Sequence, residues 1–508
     1  MTMTTTTTTD ERSLPVAPPP HGVRRGLRGW VEAHPDLAAL LLIALVAGGL
    51  RLAFAFRVPA FVTKDSVEYV EPALALLDSG PFVLAQRRTP VYPLFMAASV
   101  AVFGRDLLAI TFAQHLLGIG TALMTYAIGR LTFGRAVGLL GGLLAALSSP
   151  LLIYEHYLIT ESLFTFLLVG AICLFVAGLR TRLLRYFALG GVVLGLAALT
   201  RPVGQAILVV LPLAFLPVLG GWRPTARAFA LTLACFALLI VPWTIRNQLV
   251  FGQAQPASMG RFLISRSVKH ERDFKFYDET VGAYPGEATE RTRARMIAQE
   301  VTDKRPEPGQ IFQRIRDNLN LTEAQTDTML RSIALEAIAR DPMLWVRGTV
   351  EMFFELIAGA PKEESVNWHN GSHPQLRVAN QWGGLSYLLG DMTVAQALQQ
   401  EEAEVLANVF RPSRFAWIIA GLAVVAGIAA AVRRPLRPAL LPFLVSFALI
   451  AASVALVGEV PRYRYPVDPL LYVLAAGGAA TIVEVALAAA RRSRKSPRAS
   501  AVVRATAS

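Results

Sequence analysis

Apolar runs of about twenty residues recur at both ends of this chain, and no other feature limits its fold so strongly. At roughly 1.5 Å of rise per residue such a run crosses about 30 Å of hydrocarbon, so each reads as a membrane-spanning helix. Candidate spans fall at 36 to 57, 137 to 153, 158 to 178, 186 to 199, 203 to 220, 228 to 243, 413 to 432, 438 to 457 and 467 to 490. Only 17% of the residues are charged and 54% are hydrophobic, against about a quarter charged in ordinary soluble domains. This excludes a soluble enzyme and predicts an all-α polytopic membrane protein.

The net charge of +13 would point to nucleic acid in a soluble chain, but its distribution gives it another meaning. Residues 244 to 412 hold 19 of the 49 Lys and Arg and 22 of the 36 Asp and Glu, leaving 30 basic and 14 acidic residues elsewhere. Arginines gather at alternate loops. Arg24, Arg25 and Arg28 precede the first span, and Arg130 with Arg135, Arg180 with Arg182 and Arg185, Arg223 with Arg227, and Arg433 with Arg434 and Arg437 follow, before a terminal RRSRKSPR. Short loops rich in Arg stay on the cytoplasmic side. The opposite ends, 58 to 89, 150 to 160, 200 to 202, 244 to 412 and 458 to 466, are therefore expected outside. The expected partners include membrane lipids and exclude nucleic acid.

The tract 90 to 131 must cross an odd number of times to keep this alternation, yet it holds two apolar pieces, 90 to 103 and 107 to 131, separated by FGRD. Either the first is re-entrant or the second is a short hairpin broken around Gly118 and Gly120, for about 10 to 12 crossings in all. Residues 1 to 35, a Thr tract followed by PVAPPPHG and RRGLRG, read as a disordered cytoplasmic tail. The first run starts late, carries Arg51 and lacks a small-residue cleavage site, so it reads as a retained span. The chain thus divides into a transmembrane module at 36 to 243, an extracytoplasmic, mostly helical insertion at 244 to 412, further spans at 413 to 490 and a basic tail at 491 to 508. Inside the insertion, DPMLWVRGTVEMFFELIAG spaces its apolar residues for one helical face, either flat on the outer membrane surface or buried within the insertion. Both cysteines, Cys173 and Cys235, lie inside apolar runs, which leaves no disulfide framework and no Cys-based zinc site.

Acids near hydrocarbon are costly unless solvated or paired, and they do nothing for the positive-inside rule. Asp65, Glu68, Glu71, Asp78, Glu155, Glu161, Glu459 and Asp468 nevertheless stand at or near expected outer ends, which predicts a polar cavity opening outward. In the first outer loop a helical segment is expected to reach Asp78 before a Gly-Pro stop, and Arg87 and Arg88 lead into Pro90 and Pro93. Other outer turns contribute Glu155, His156 and Glu161, then Arg201, then Arg246, then Glu459, Arg462, Tyr463, Arg464 and Tyr465.

Six short patterns occur in order along this outer side. They are D-S-x-x-Y from Asp65, R-x-P-x-Y-P from Arg88, T-E-S-L-F from Thr160, L-T-R-P from Leu199, P-W-x-x-R-N from Pro242 and R-Y-x-x-P from Arg462. The combination resembles the bacterial polyprenyl-phosphate-dependent glycosyltransferases of the GT-C superfamily, similar to protein O-mannosyltransferases and lipid A aminoarabinose transferases. Pro72 inside the first-loop helix and the long insertion depart from the pattern. The resemblance implies a GT-C-like fold in the bacterial inner membrane, with an active site facing the periplasm or cell exterior. It implies a polyprenyl-phosphate-linked sugar as donor and a glycan, lipid or protein as acceptor.

Such a transfer needs a base for the acceptor hydroxyl and cations for the departing phosphate. By resemblance Asp65 is the catalytic base and Glu161 a second acidic catalytic position. Arg88, Arg201, Arg246, Arg462 and Arg464 are candidates for the donor phosphate, since guanidinium pairs bidentately with phosphate and stays charged. Their alternative role is snorkelling to lipid headgroups. Glu68, Tyr69, His156 and Tyr463 are candidate substrate contacts, and for Tyr69, Tyr463 and Tyr465 the interfacial aromatic belt is the alternative. A divalent cation, Mg²⁺ or Mn²⁺, shared by Asp65 and Glu161 would suit hard oxygen ligands. His156, His270, His369 and His373 complete the metal candidates, although Asn-Gly between the last two marks a turn. Two other classes compete: a flippase or secondary transporter, which would place charge near the midplane between repeated halves, and an O-antigen ligase or polymerase, which would take a pyrophosphate-linked glycan.

Overall fold

The structure is a computed structural model that describes residues 27–254 apart from 56, 57, 59, 63, 86 and 253, together with 260–263, 308–358 apart from 341, 377–378, 415–457 and 463–495. The chain begins with α1 (Leu27–Ala33), α2 (Pro35–Ala55), β1 (Phe61–Val62), α3 (Lys64–Leu77), α4 (Val91–Phe103), α5 (Leu107–Thr132), α6 (Arg135–Leu147), α7 (Ser149–Tyr154) and α8 (Glu161–Thr181). It continues with α9 (Leu184–Ala198), α10 (Ile207–Leu219), α11 (Trp222–Phe251), α12 (Pro308–Leu319), α13 (Glu323–Arg340), α14 (Pro342–Ala358), β2 (Arg377–Val378), α15 (Ala416–Val432), α16 (Leu440–Val457) and α17 (Asp468–Lys495). Seven of the described helices, some counted with a leading 3-10 turn, are long and apolar enough to cross a membrane. Four shorter apolar helices, α4, α6, α9 and α15, stand among them. The fold is all-α, as expected for a multi-pass membrane protein, and one two-residue antiparallel ladder pairs Phe61 with Val378 and Val62 with Arg377.

Local chemistry explains where the helices stop. Gly104 at φ 108° ends α4, and the Asp106 carboxylate accepts the Leu108 N–H at 2.8 Å to start α5. FGRD is therefore a cap pair, and α5 runs unbroken for 26 residues, so the hairpin alternative does not form. Gly118 and Gly120 admit neighbours instead: a Cβ on Gly120 would lie 2.7 Å from the Phe166 ring. The expected span at 137 to 153 is interrupted at Ser148, whose ψ of 111° leaves the helix before Pro150 helps restart it as α7. The expected end of the span at Thr244 is a fall in hydropathy only, since α11 continues to Phe251 and stops at Gly252, φ 70°. Before the first span, where a structureless tail is expected through residue 35, α1 forms with Arg28 and Glu32 paired at 3.1 Å.

Two kinds of contact hold the bundle. Small residues let backbones approach: a Cβ on Gly129 would sit 2.7 Å from Gly138 Cα, so α5 and α6 cross at backbone distance. At one end, the arginines expected inside donate to backbone carbonyls, most of them in the last turns of helices. Arg180 reaches Leu131 O at 2.6 Å, Thr132 O at 3.2 Å and Pro435 O at 2.9 Å, while Arg182 reaches Leu219 O and Arg437 reaches Pro217 O. The last-turn carbonyls of Leu131, Thr132, Pro217 and Leu219 lack intrahelical donors and carry the negative end of the helix dipole. The helix over DPMLWVRGTVEMFFELIAG is α14, which sets Met352, Leu356 and Ile357 into the main core beside α16 and stacks Phe354 on Trp417. It packs on the bundle rather than in the small core formed by Leu263, Phe312, Ile315 and Leu330.

Candidate active site

At the end opposite the arginine caps, the first-loop helix α3 starts at Lys64, runs through Pro72 and stops as Ser79 turns to φ 58° and the Gly80 N–H closes on Ala75 O. Its first turns present Asp65, Glu68 and Tyr69, and the chain returns with Arg87 and Arg88. Arg88 binds all three: Nη2 to Asp65 Oδ1 at 2.8 Å, Nε to Glu68 Oε2 at 2.5 Å and Nη1 to the Tyr69 hydroxyl at 2.9 Å. Arg87 also pairs with Glu68. Burial alone would lower the Arg88 pKa, but Tyr69 and the Asp65 carboxylate beside it raise it above the usual arginine value. Tyr69 is buried, and burial lifts its phenol pKa; Arg88 opposes this, and the charges of Asp65, Glu161 and Arg201 also reach it.

The second group adjoins the first through the backbone. Thr89 Oγ1 donates to Thr200 O at 3.0 Å and the Val91 N–H to Leu199 O, which sets Arg88 and Arg201 on neighbouring segments. Arg201 Nη1 pairs with Glu161 Oε1 at 2.5 Å, and its guanidinium lies 4.6 Å from the centre of the Tyr463 ring. Glu161 opens α8 and is 3% exposed, so a carboxylate is held nearly dry at a helix N-terminus with the Arg201 guanidinium against it.

Sequence-predicted residues therefore separate. Asp65, Glu68, Tyr69 and Arg88 meet in one group, and Glu161, Arg201 and Tyr463 meet in another. Arg246 stands apart on α11, bonded to Asn247 Oδ1 and lying over Trp243 and Phe251. Arg464, 2% exposed, bonds Asp468 at 3.1 Å and Ile357 O at 3.2 Å, tying α14 to α17. Arg462, Glu459, His270, His369 and His373 lie outside the described residues. His156 is buried, its ring 4.7 Å from that of His115.

The sequence reading missed a third group. Arg51 on α2 reaches Glu155 Oε1 at 2.6 Å, and His115 Nδ1 lies 2.7 Å from Glu155 Oε2, with all three side chains buried. An arginine and a histidine inside apolar runs were the available signal, since intramembrane ionisable groups are rare and paired. A second omission is Arg261, which burial makes less basic and whose charge Asp65 sustains, so residues 260–263 approach the first group.

The described residues do not fit a divalent-cation site. Asp65 and Glu161 each face an arginine, and among the described residues no three His, Cys, Asp or Glu side chains group to hold a metal.

Fold and site together define a multi-pass, all-helical membrane protein with the Asp65–Arg88 and Glu161–Arg201 pairs on adjoining segments at the end away from the arginine caps. A family model described as dolichyl-phosphate-mannose-protein mannosyltransferase matches residues 87–245, about a third of the chain. The match contains Arg88, Glu161 and Arg201 and excludes Asp65, and over it the motif-borne resemblance to GT-C glycosyltransferases holds. No curated protein matches. Among solved structures, the Archaeoglobus fulgidus oligosaccharyltransferase in complex with Zn and sulfate is similar at TM-score 0.46 and 15% identity, over 88% of this chain and 49% of that one. ArnT from Cupriavidus metallidurans bound to undecaprenyl phosphate is similar at TM-score 0.37 and 14% identity, over 90% and 78%. The S. cerevisiae protein O-mannosyltransferase Pmt1-Pmt2 complex bound to the sugar donor is similar at TM-score 0.36 and 16% identity, over 45% and 36%. The chain spans about half the length of the archaeal enzyme.

Proposed function

We propose that this protein is a bacterial plasma-membrane glycosyltransferase that moves a sugar from a polyprenyl-phosphate carrier to an acceptor hydroxyl on the extracytoplasmic face. The observation that carries the reading is the placement of the Asp65–Arg88 and Glu161–Arg201 pairs on adjoining segments at the end of the bundle away from the arginine caps. Asp65 takes the proton of the acceptor hydroxyl as its oxygen bonds to the anomeric carbon. The bond from that carbon to the phosphate oxygen breaks, and the phosphate leaves on the lipid with the electron pair. Arg201 neutralises that charge, and Tyr463 holds the guanidinium plane in place. Arg88 aims the Asp65 carboxylate. Glu161 orients Arg201 and offers an acceptor to substrate hydroxyls. A glycan, a lipid or a protein hydroxyl would serve equally in this chemistry.

Asp65→Asn tests the reading, because Asn has nearly the same shape and cannot take the proton. The purified variant should keep its fold and its carrier affinity, while single-turnover transfer falls ~10²- to 10⁴-fold. If Asp65 only holds the loop through Arg88, the variant will instead bind carrier weakly and keep substantial turnover, and the assignment is then wrong.

A further inference from the structure

The buried Arg51–Glu155 pair stands one short turn before Glu161 and shares a cavity with it. That cavity lies between α2, α5, α7 and α8, and Arg51, Glu155, Glu161, Ser162, Thr165 and Tyr465 are among its lining residues. The turn from Glu155 to Thr160 is gripped from α5: Gln114 Nε2 donates to Glu155 O at 2.9 Å and to Tyr157 O at 3.0 Å, and the Tyr92 hydroxyl holds Gln114 Oε1 at 3.1 Å. On the far side Ser162 Oγ donates to Tyr154 O, and Thr160 Oγ1 touches both the Glu161 carboxylate and Arg201. Gly118 makes room for the pair. A Cβ there would lie 2.0 Å from Glu155 Oε1 and 2.7 Å from Arg51 Nε. The guanidinium also donates to Ala47 O and Ala146 O, while among the described residues its buried Nε has no hydrogen-bond partner, an arrangement with a stability cost.

We infer that Arg51 and Glu155, seated on Gly118 and backed by Gln114, are positioning residues that fix the turn before α8 and so aim Glu161 and its partner Arg201. This rests on the role given to Glu161 above. Shifting the pair rotates the start of α8, while the Asp65–Arg88 group, held by its own contacts, stays in place. The consequence falls on turnover rather than on carrier binding.

The test is a double-mutant cycle between Gly118→Ala and Glu161→Gln, with single-turnover rate, KM for the lipid-linked sugar and unfolding midpoint measured for each folded variant. Gly118→Ala should lower the rate at least tenfold with KM changed less than twofold, and adding it to Glu161→Gln should cost nothing further. Adding Glu155→Asp to Gly118→Ala, which withdraws the carboxylate by one methylene, should recover most of the rate. If Gly118→Ala does not fold, Glu155→Gln, which keeps the volume and loses the ion pair, takes its place in the cycle. Additive losses would mean that the pair does not act through Glu161 and would overturn the inference, as would normal turnover in Gly118→Ala beside an impaired Glu161→Gln. Normal turnover in Glu161→Gln itself would remove both the inference and the role of Glu161.

Discussion

Arg201 and Arg464 stand in comparable outer motifs and carry the same charge, yet their surroundings assign them different work. Arg201 has a carboxylate on one side and a tyrosine face on the other, beside the Asp65 group. Arg464 is enclosed between Asp468 and a carbonyl of α14. Arg201→Lys keeps the charge and loses the fork, so transfer should fall on the order of 10- to 100-fold with the unfolding midpoint unchanged. Arg464→Met should instead take the guanidinium away from the buried Asp468 carboxylate, at a cost of about 3–5 kcal/mol in stability and with near-normal turnover in whatever folds. Thermal unfolding and transfer measured on both variants check this; a stable, inactive Arg464→Met would reverse the assignment. Residue types showed which groups were eligible for a site, since acids and arginines beside hydrocarbon must be paired or solvated. They did not show the pairing, because Glu161 and Arg201 are forty residues apart in sequence and meet only when α8 and α9 pack.

Helix ends were legible where a residue dictates them and illegible where only hydropathy changes. Gly104, Asp106 and Gly252 mark boundaries by conformation and capping, whereas the polar residues after Thr244 simply continue α11. Glycines inside apolar runs were ambiguous for the same reason: in sequence Gly118 and Gly120 look like a break, and in the fold they are points of close approach within an unbroken α5. The close crossing of α5 and α6 makes a direct prediction. A Cβ on Gly138 would lie 2.7 Å from Tyr126 O and 2.8 Å from Arg130 N, both backbone atoms that a side-chain rotation cannot relieve. Gly138→Ala should destabilise by about 1–3 kcal/mol. Gly49→Ala on α2, where a Cβ meets nothing within 4 Å, should leave the unfolding midpoint where it is. Equal midpoints for the two variants would contradict the packing described.

At the scale of the whole molecule, the Arg180, Arg182 and Arg437 caps stand at one end of the bundle and the Asp65–Arg88 and Glu161–Arg201 pairs at the other. Cysteines at Ala85 and Gln313, both exposed, should react with an impermeant thiol reagent in intact cells, and one at Leu183, beside the arginine caps, only after lysis. The reverse pattern would put the site on the cytoplasmic face. Charge placement also bears on the transporter alternative: the Asp65–Arg88 and Glu161–Arg201 pairs stand at helix ends, although the Arg51–Glu155 pair lies deeper, against Gly118 of α5. The central claim is sugar transfer from a lipid phosphate, and the mass of the product tests it most directly. Membranes holding the protein, a polyprenyl-phosphate-linked sugar and candidate acceptors should yield an acceptor heavier by one sugar residue together with free polyprenyl phosphate, and membranes holding Asp65→Asn should yield neither above background. An unchanged acceptor with the intact lipid-linked sugar moved to the opposite leaflet, equally in both proteins, would contradict the account.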